Sequence, residues 1–67
     1  MTGTISRIVG VKRTFCFIKA ADGKEYFSHH KRFSEPEKMM VGLNVEFQPM
    51  PPLRPGKKPL AIAVIAA

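Results

Sequence analysis

The chain has 67 residues, a net charge of +6 at pH 7 and a sequence pI of about 10.0, with one cysteine and no tryptophan. This length allows a single domain, residues 1–67, whose small core needs support from a closed sheet, a metal or a disulfide. One cysteine excludes an internal disulfide and a cysteine-rich zinc site, and it is typical of a reducing compartment.

No apolar run in the sequence approaches the ~18 residues needed to span a bilayer. The start, Met-Thr-Gly-Thr-Ile, lacks a basic region followed by an apolar stretch, so no signal peptide is predicted. We therefore expect a cytoplasmic protein with no membrane partner. The positive charge favours a polyanion as the partner, although charge by itself is a weak indication.

The first predicted strand covers about residues 3–9, where β-forming side chains are frequent. Its alternation is imperfect, because Ile5 and Val9 are in phase while Ile8 is not. Gly10 indicates a bulge or a turn.

The second predicted strand covers about residues 14–20 and contains Phe-Cys-Phe-Ile. Side chains of a strand alternate between its faces, so Phe15 and Phe17 point one way and Cys16 and Ile18 the other. Either pair could face the core on this pattern alone. The neighbouring basic residues do not settle which pair is exposed.

The third predicted strand, about 24–29, follows an Asp-Gly turn at 22–23, which is the strongest short signal for a hairpin. Phe27 and His29 share one of its faces. Two neighbouring strands of this kind would form a surface on which nucleic-acid bases stack.

The pattern changes between residues 30 and 42. Ser34 and Glu37 have the spacing of a capping box, Pro36 fits the first helical turn, and Gly42 is a plausible stop. We expect a short helical turn inside a long connection. One of three apolar residues is expected to reach the core: Met39, Met40 or Val41.

The last third of the chain reads as strand, loop and strand. Residues 43–48 alternate as in a half-buried strand, with Leu43, Val45 and Phe47 on the apolar face. Residues 49–59 contain five of the six prolines and predict an extended loop. Residues 60–65 predict a final strand, but the pattern does not decide which of its side chains face the core.

Five short strands with one long connection after the third predict an all-β fold. The expected architecture is a small, closed, five-stranded antiparallel Greek-key barrel, because closure removes the exposed sheet edges. This is the OB-fold, in which the face of strands 2 and 3 binds oligonucleotides.

The ordered motifs resemble those of the bacterial cold-shock domain family. Residues 13–18 are similar to the family's Lys-Gly-Phe-Gly-Phe-Ile motif. Residues 26–30 are similar to its second motif, which has an aromatic residue or Val, then Phe, then Val or Phe, then His, and then Phe, Tyr or Arg. Three further segments resemble the family's opening Gly-Thr-Val, its Gly-x-x-Val-x-Phe strand and its closing Pro-x-Ala-x-x-Val: residues 3–5, 42–47 and 59–64. The resemblance therefore extends over nearly the whole chain.

The chain departs from the family pattern in its first strand, where members carry Lys-Trp-Phe. Here Ser6, Arg7 and Ile8 occupy that stretch, with one additional residue before Phe-x-Phe, and Thr14 and Cys16 replace the motif glycines. The resemblance implies binding of single-stranded RNA or DNA with little sequence selectivity, and RNA-chaperone or transcription-antitermination activity. It also implies that Cys16, Ser28 and Tyr26 face the barrel interior.

Two sets of candidate site residues follow. The candidates for stacking on bases are Phe15, Phe17, Phe27, His29 and His30, together with Arg7 in place of the missing tryptophan. The candidates for phosphate contacts flank the two motifs or lie in the proline-rich loop: Lys12, Arg13, Lys31, Arg32, Lys57 and Lys58.

No catalytic, cofactor or metal site is predicted. Neighbouring residues of a strand face opposite sides, so His29 and His30 should not converge on a metal, and Cys16 points away from both. The carboxylates show no pairing typical of acid–base catalysis, and no Gly-rich phosphate loop is present. We therefore do not expect an enzyme.

A second hypothesis is a divergent β-barrel that has lost nucleic-acid binding and serves as a protein-interaction module. The missing tryptophan and the proline-rich loop favour it. A monomer is expected, and a strand-swapped dimer is the alternative, since a short barrel with a long loop can exchange a strand.

Overall fold

A computed structural model describes all residues from 1 to 67. It has five strands: β1 (Thr2–Val9), β2 (Phe15–Ala20), β3 (Glu25–His29), β4 (Asn44–Met50) and β5 (Leu60–Ala66). They close into one barrel in the order β1-β2-β3-β5-β4. The predicted all-β, OB-like barrel is confirmed. One pair departs from the antiparallel rule, because β3 and β5 run parallel.

A β-bulge explains the imperfect alternation of β1. The pairing with β2 shifts by one residue between Ile5 and Arg7, so that Ser6 is an extra residue in β1. Ile5 is buried, Ser6 and Arg7 are exposed, and Ile8 packs against the core. Gly10 lies in the turn that follows and accepts a backbone hydrogen bond from Arg13 at 3.1 Å.

A second irregularity lies in β5 and explains why the sequence pattern does not decide which of its side chains face the core. The pairing with β4 shifts within the stretch from Ile62 to Ile65, and Ala63 has a φ of 50°. The buried residues of β5 are consequently Ala61 and Val64, three positions apart rather than two.

The proline-rich segment is shorter as a loop than predicted. Pro49 lies inside β4, where it pairs with Ala61, and β4 continues to Met50. The loop proper therefore covers residues 51–59.

The barrel core is a single cluster of side chains from all five strands and from the long connection. Its buried members are Ile5, Cys16, Ile18, Ala20, Tyr26, Phe33, Val45, Phe47, Ala61 and Val64, with Ser28 buried among them. The inward positions expected for β2, β3 and β4 are thus correct. Phe33 was not predicted as a core residue.

The long connection from 30 to 43 contains two single-turn 3-10 helices, His30–Arg32 and Pro36–Lys38. The expected helical turn is present, but the capping prediction is wrong. Glu35, rather than Ser34, precedes the second turn, and its side chain makes no capping hydrogen bond. Of the three apolar candidates, Met39 packs against the core and the two residues after it are exposed.

None of the helical segments has the length and apolar character needed to cross a membrane.

Candidate nucleic-acid interface

The outer face of β1, β2 and β3 carries three rows of side chains set by strand pairing. Directly opposite residues form the rows Thr4, Lys19 and Glu25; Arg7, Phe17 and Phe27; and Val9, Phe15 and His29. Phe15 and Phe17 therefore lie on the outer face, while Cys16 and Ile18 are fully buried. This arrangement excludes the alternative in which the two phenylalanines form the core.

The aromatic platform consists of Phe15, Phe17, Phe27 and His29, all of them half-buried. The rings of Phe15 and Phe27 are nearly parallel, with an interplanar angle of 18° and centroids 5.2 Å apart. Phe17 is tilted by 56° against Phe27 at 5.3 Å. His29 meets Phe15 edge-on at 4.7 Å and 84°. The result is a continuous cluster of rings on the outer face.

His30 extends the platform, against the expectation that His29 and His30 face opposite sides. His30 begins a 3-10 helix instead of continuing β3, so its ring lies 4.4 Å from that of His29 at an angle of 35°. The backbone N–H of Lys31 donates to Nδ1 of His29 at 3.1 Å. Desolvation lowers the pKa of His29, and the nearby charges of His30, Lys31 and Arg32 add to this effect. A neutral imidazole at this position offers a stacking surface.

Arg7 lies on the platform, as predicted, but its guanidinium group already stacks on a ring of the protein. Its Cζ is 4.3 Å from the centroid of Phe17, a distance typical of a cation–π contact. Arg7 is exposed, and its guanidinium N–H groups make no hydrogen bond or ion pair within the chain.

Four predicted phosphate contacts gather at one end of the platform. Lys12 and Arg13 lie in the exposed turn between β1 and β2, and Lys31 and Arg32 lie in the first 3-10 helix. The backbone N–H of His30 donates to the carbonyl of Thr14 at 2.8 Å, which holds the two segments together. The four cations therefore flank the row that contains Phe15 and His29.

The other two predicted phosphate contacts, Lys57 and Lys58, lie beside the opposite end of the platform. Lys58 is not free, because its Nζ pairs with Glu25 at 3.0 Å and lies 6.0 Å from the centroid of Phe17. This ion pair is the largest cause of a lowered pKa at Glu25. Sequence reasoning missed Glu25, since a single acidic residue in a strand carries no signal for its partner.

An open groove of about 550 Å³ separates the platform from the proline-rich loop. Its walls are Phe17, Phe27, Leu53, Arg54, Lys57, Lys58 and Leu60. Leu53 was also missed, although it is a lone large apolar residue in a cationic loop, and its side chain is 84% exposed. The groove continues the apolar surface of the rings toward three cations.

No three His, Cys, Asp or Glu side chains come together as a group that could hold a metal ion. Cys16 is buried in the core, where desolvation raises the pKa of its thiol to about 11. The thiol therefore stays protonated and inaccessible at neutral pH.

No family model matches the chain, and no curated protein is significantly similar to it.

Proposed function

We propose that the chain binds single-stranded RNA or DNA on the aromatic platform, as a barrel of cold-shock type. The observation that carries this proposal is the continuous surface of half-exposed rings on β2 and β3 with cations at both ends. Unpaired bases offer π-faces to such rings, and the backbone phosphates offer charge to the cations. Paired bases expose neither face, so the protein prefers unpaired strands.

Two features support the cold-shock assignment in particular. The Phe-x-Phe segment places its rings outward and its intervening residue in the core. The bulge at Ser6 places Arg7, which stands in the stretch where the family carries Lys-Trp-Phe, in the same row as Phe17 on the outer face. A preference for unpaired strands leads to melting of weak RNA hairpins, the activity of an RNA chaperone. A cytoplasmic monomer is part of the same proposal.

The test is fluorescence anisotropy of a labelled thymidine heptamer, titrated at low salt with the wild type and with Phe27→Leu. Leucine keeps much of the apolar bulk but removes the π-face. Because stacking contributes roughly 1–3 kcal/mol per base, we expect binding about tenfold weaker in the variant. Ile65→Ala is the control, since Ile65 is an exposed apolar residue that pairs with Glu46 of β4, away from the platform.

Equal losses in Phe27→Leu and Ile65→Ala would contradict the stacking mechanism. No binding by the wild type at low salt would overturn the proposal. That result would direct attention to a protein-interaction module, a second candidate that the exposed Leu53 beside the apolar groove favours.

A further inference from the structure

Arg7 is the one cation placed among the rings of the platform rather than at its ends. The bulge at Ser6 turns its side chain to the outer face, and the ring of Phe17 lies 4.3 Å from its Cζ. Its hydrogen-bond donors have no partner in the chain. The guanidinium group is held in place by Phe17, and its N–H groups are available to donate hydrogen bonds to a ligand.

We propose that Arg7 recognises guanine in the bound strand, an inference that rests on the proposed function and gives it a base preference. Phe17 and Phe27 face each other across β2 and β3, with centroids 5.3 Å apart. Arg7 covers Phe17, which leaves Phe27 as the neighbouring ring open to a base. A base stacked on Phe27 therefore has one edge beside the guanidinium of Arg7.

Guanine is the base whose edge fits this neighbour. Its O6 and N7 are adjacent acceptors that match the fork of donors on a guanidinium group. Adenine presents an acceptor beside a donor, and the acceptors of thymine or uracil are separated by a donor. In an unpaired strand, cytosine also presents two adjacent acceptors, O2 and N3, on its Watson–Crick edge. Guanine is the larger of the two bases with adjacent acceptors, so it also covers more of the ring of Phe27 and is the better fit.

A phosphate is the other acceptor that a guanidinium can bind, but the surroundings of Arg7 favour a base. The four cations near Phe15 lie in exposed turns at the end of the platform, where a backbone can pass. Arg7 instead shares a row with Phe17 and Phe27, where the bases stack. Lys58, the other cation near Phe17, is paired with Glu25 and leaves Arg7 as the donor available in this row.

The experiment compares three labelled heptamers in the anisotropy assay: all thymidine, the same with one central guanine, and the same with 7-deazaguanine, which lacks the N7 acceptor. Because a bidentate contact discriminates by about 1–3 kcal/mol, we expect the guanine heptamer to bind wild type about tenfold tighter than the thymidine heptamer. The 7-deazaguanine heptamer should lose most of this gain.

Arg7→Lys is the matched variant, because it keeps the charge but loses the planar fork. It should lose the preference for guanine, measured as the ratio of its affinities for the guanine and thymidine heptamers. Arg7 is exposed, so the variant should fold normally, which a thermal melt verifies.

Three results would overturn the inference. Equal binding of all heptamers by the wild type would exclude a guanine contact. Arg7 would be a phosphate contact if Arg7→Lys and Arg7→Gln both bound all heptamers equally more weakly than the wild type, and if the binding of Arg7→Gln depended less on salt. Tighter binding of the thymidine heptamer by Arg7→Gln would indicate that Arg7 blocks access of a base to the ring of Phe17. Failure of every heptamer to bind wild type is a different result, since it overturns the proposed function itself.

Discussion

Each ring of the aromatic platform is partly covered by a neighbouring ring, so none is purely a surface residue. Phe27 contacts both Phe15 and Phe17, at centroid distances of 5.2 and 5.3 Å. Aromatic pairs contribute about 0.5–1.5 kcal/mol beyond their buried area. A change of one ring therefore affects the free energy of unfolding as well as binding, and leucine separates the two effects better than alanine.

His29 should make stability depend on pH just below neutrality. Its pKa is lowered in the folded state, mainly by desolvation, so the unfolded chain takes up a proton near the ordinary histidine value of about 6.5 while the folded chain does not. The free energy of unfolding therefore falls as the pH drops through this value. His29 causes no further loss once the pH is below its folded-state pKa. Urea midpoints at about pH 7.5 and 5.5 measure the effect.

His29→Gln is the comparison for this prediction, and it should lose less stability than the wild type between the two pH values. The lowered pKa values of Asp22 and Glu25 act at more acid pH, below the ordinary carboxyl range of about 4–4.5, so they do not interfere. The same pH dependence in both proteins would show that His29 is not the group responsible.

The contact between β3 and β5 is the least regular part of the barrel. Only Phe27 and Leu60 form a parallel strand pair there, and the N–H of Phe27 donates to the carbonyl of Pro59 at 2.9 Å. Ser28 contributes a further bond, since its buried Oγ donates to the carbonyl of Ala61 at 2.9 Å. A side chain thus supplements the sparse backbone pairing at the point where the barrel closes.

Ser28→Ala should lower the free energy of unfolding by about 1–2 kcal/mol, because it removes a buried hydrogen bond that solvent does not replace. Ser6→Ala is a matched control, since the Oγ of Ser6 also donates to a carbonyl, that of Phe17 at 3.2 Å, but is exposed. We expect the control to cost less than about 0.5 kcal/mol. Chemical denaturation measures both, and equal losses would argue against the role of Ser28.

Regular alternation decided which elements could be predicted. In β2 and β3 the pattern is unbroken, so it predicts which residues share a face, and the resemblance to the cold-shock family indicated that the face with Cys16 and Ser28 is the inward one. In β1 and β5 an extra residue changes the phase, and a bulge leaves no reliable mark in a single sequence.

The long connection was less predictable for a different reason. Phe33 is buried because it forms an isolated bridge with Val64, a contact between distant residues that no local pattern contains. His30 joins the platform because the chain turns into a 3-10 helix at that residue. Of the candidate site, the rings on strands followed from the sequence, whereas the Arg7–Phe17 contact and the Lys58–Glu25 pair required the fold.

The charges of the whole molecule are distributed so that its excess of cations can act on a polyanion. The net charge is +6, and four exposed cations lie together at one end of the platform: Lys12, Arg13, Lys31 and Arg32. If all four contact phosphates of a single strand, the logarithm of the binding constant should fall with the logarithm of salt concentration with a slope of about −3.

Lys31→Gln should make this slope shallower by about 0.7, the contribution of one phosphate contact on a single strand. Lys38→Gln removes the same formal charge but from a lysine that pairs with Glu35 at 3.2 Å in the second 3-10 helix, so its slope should match the wild type. Anisotropy titrations at several salt concentrations give both slopes. Equal changes in the two variants would indicate that only the total charge matters.

Because Ser6 is the extra residue of a bulge, β1 can keep its inner and outer faces with or without it. If Ser6 is left out, Ile5, Arg7 and Ile8 follow one another as inward, outward and inward, which is the regular alternation of a strand. A gain or loss of one residue elsewhere in β1 would exchange the inner and outer faces of everything beyond it. Deletion of Ser6 should therefore leave Arg7 and Val9 on the outer face of the barrel.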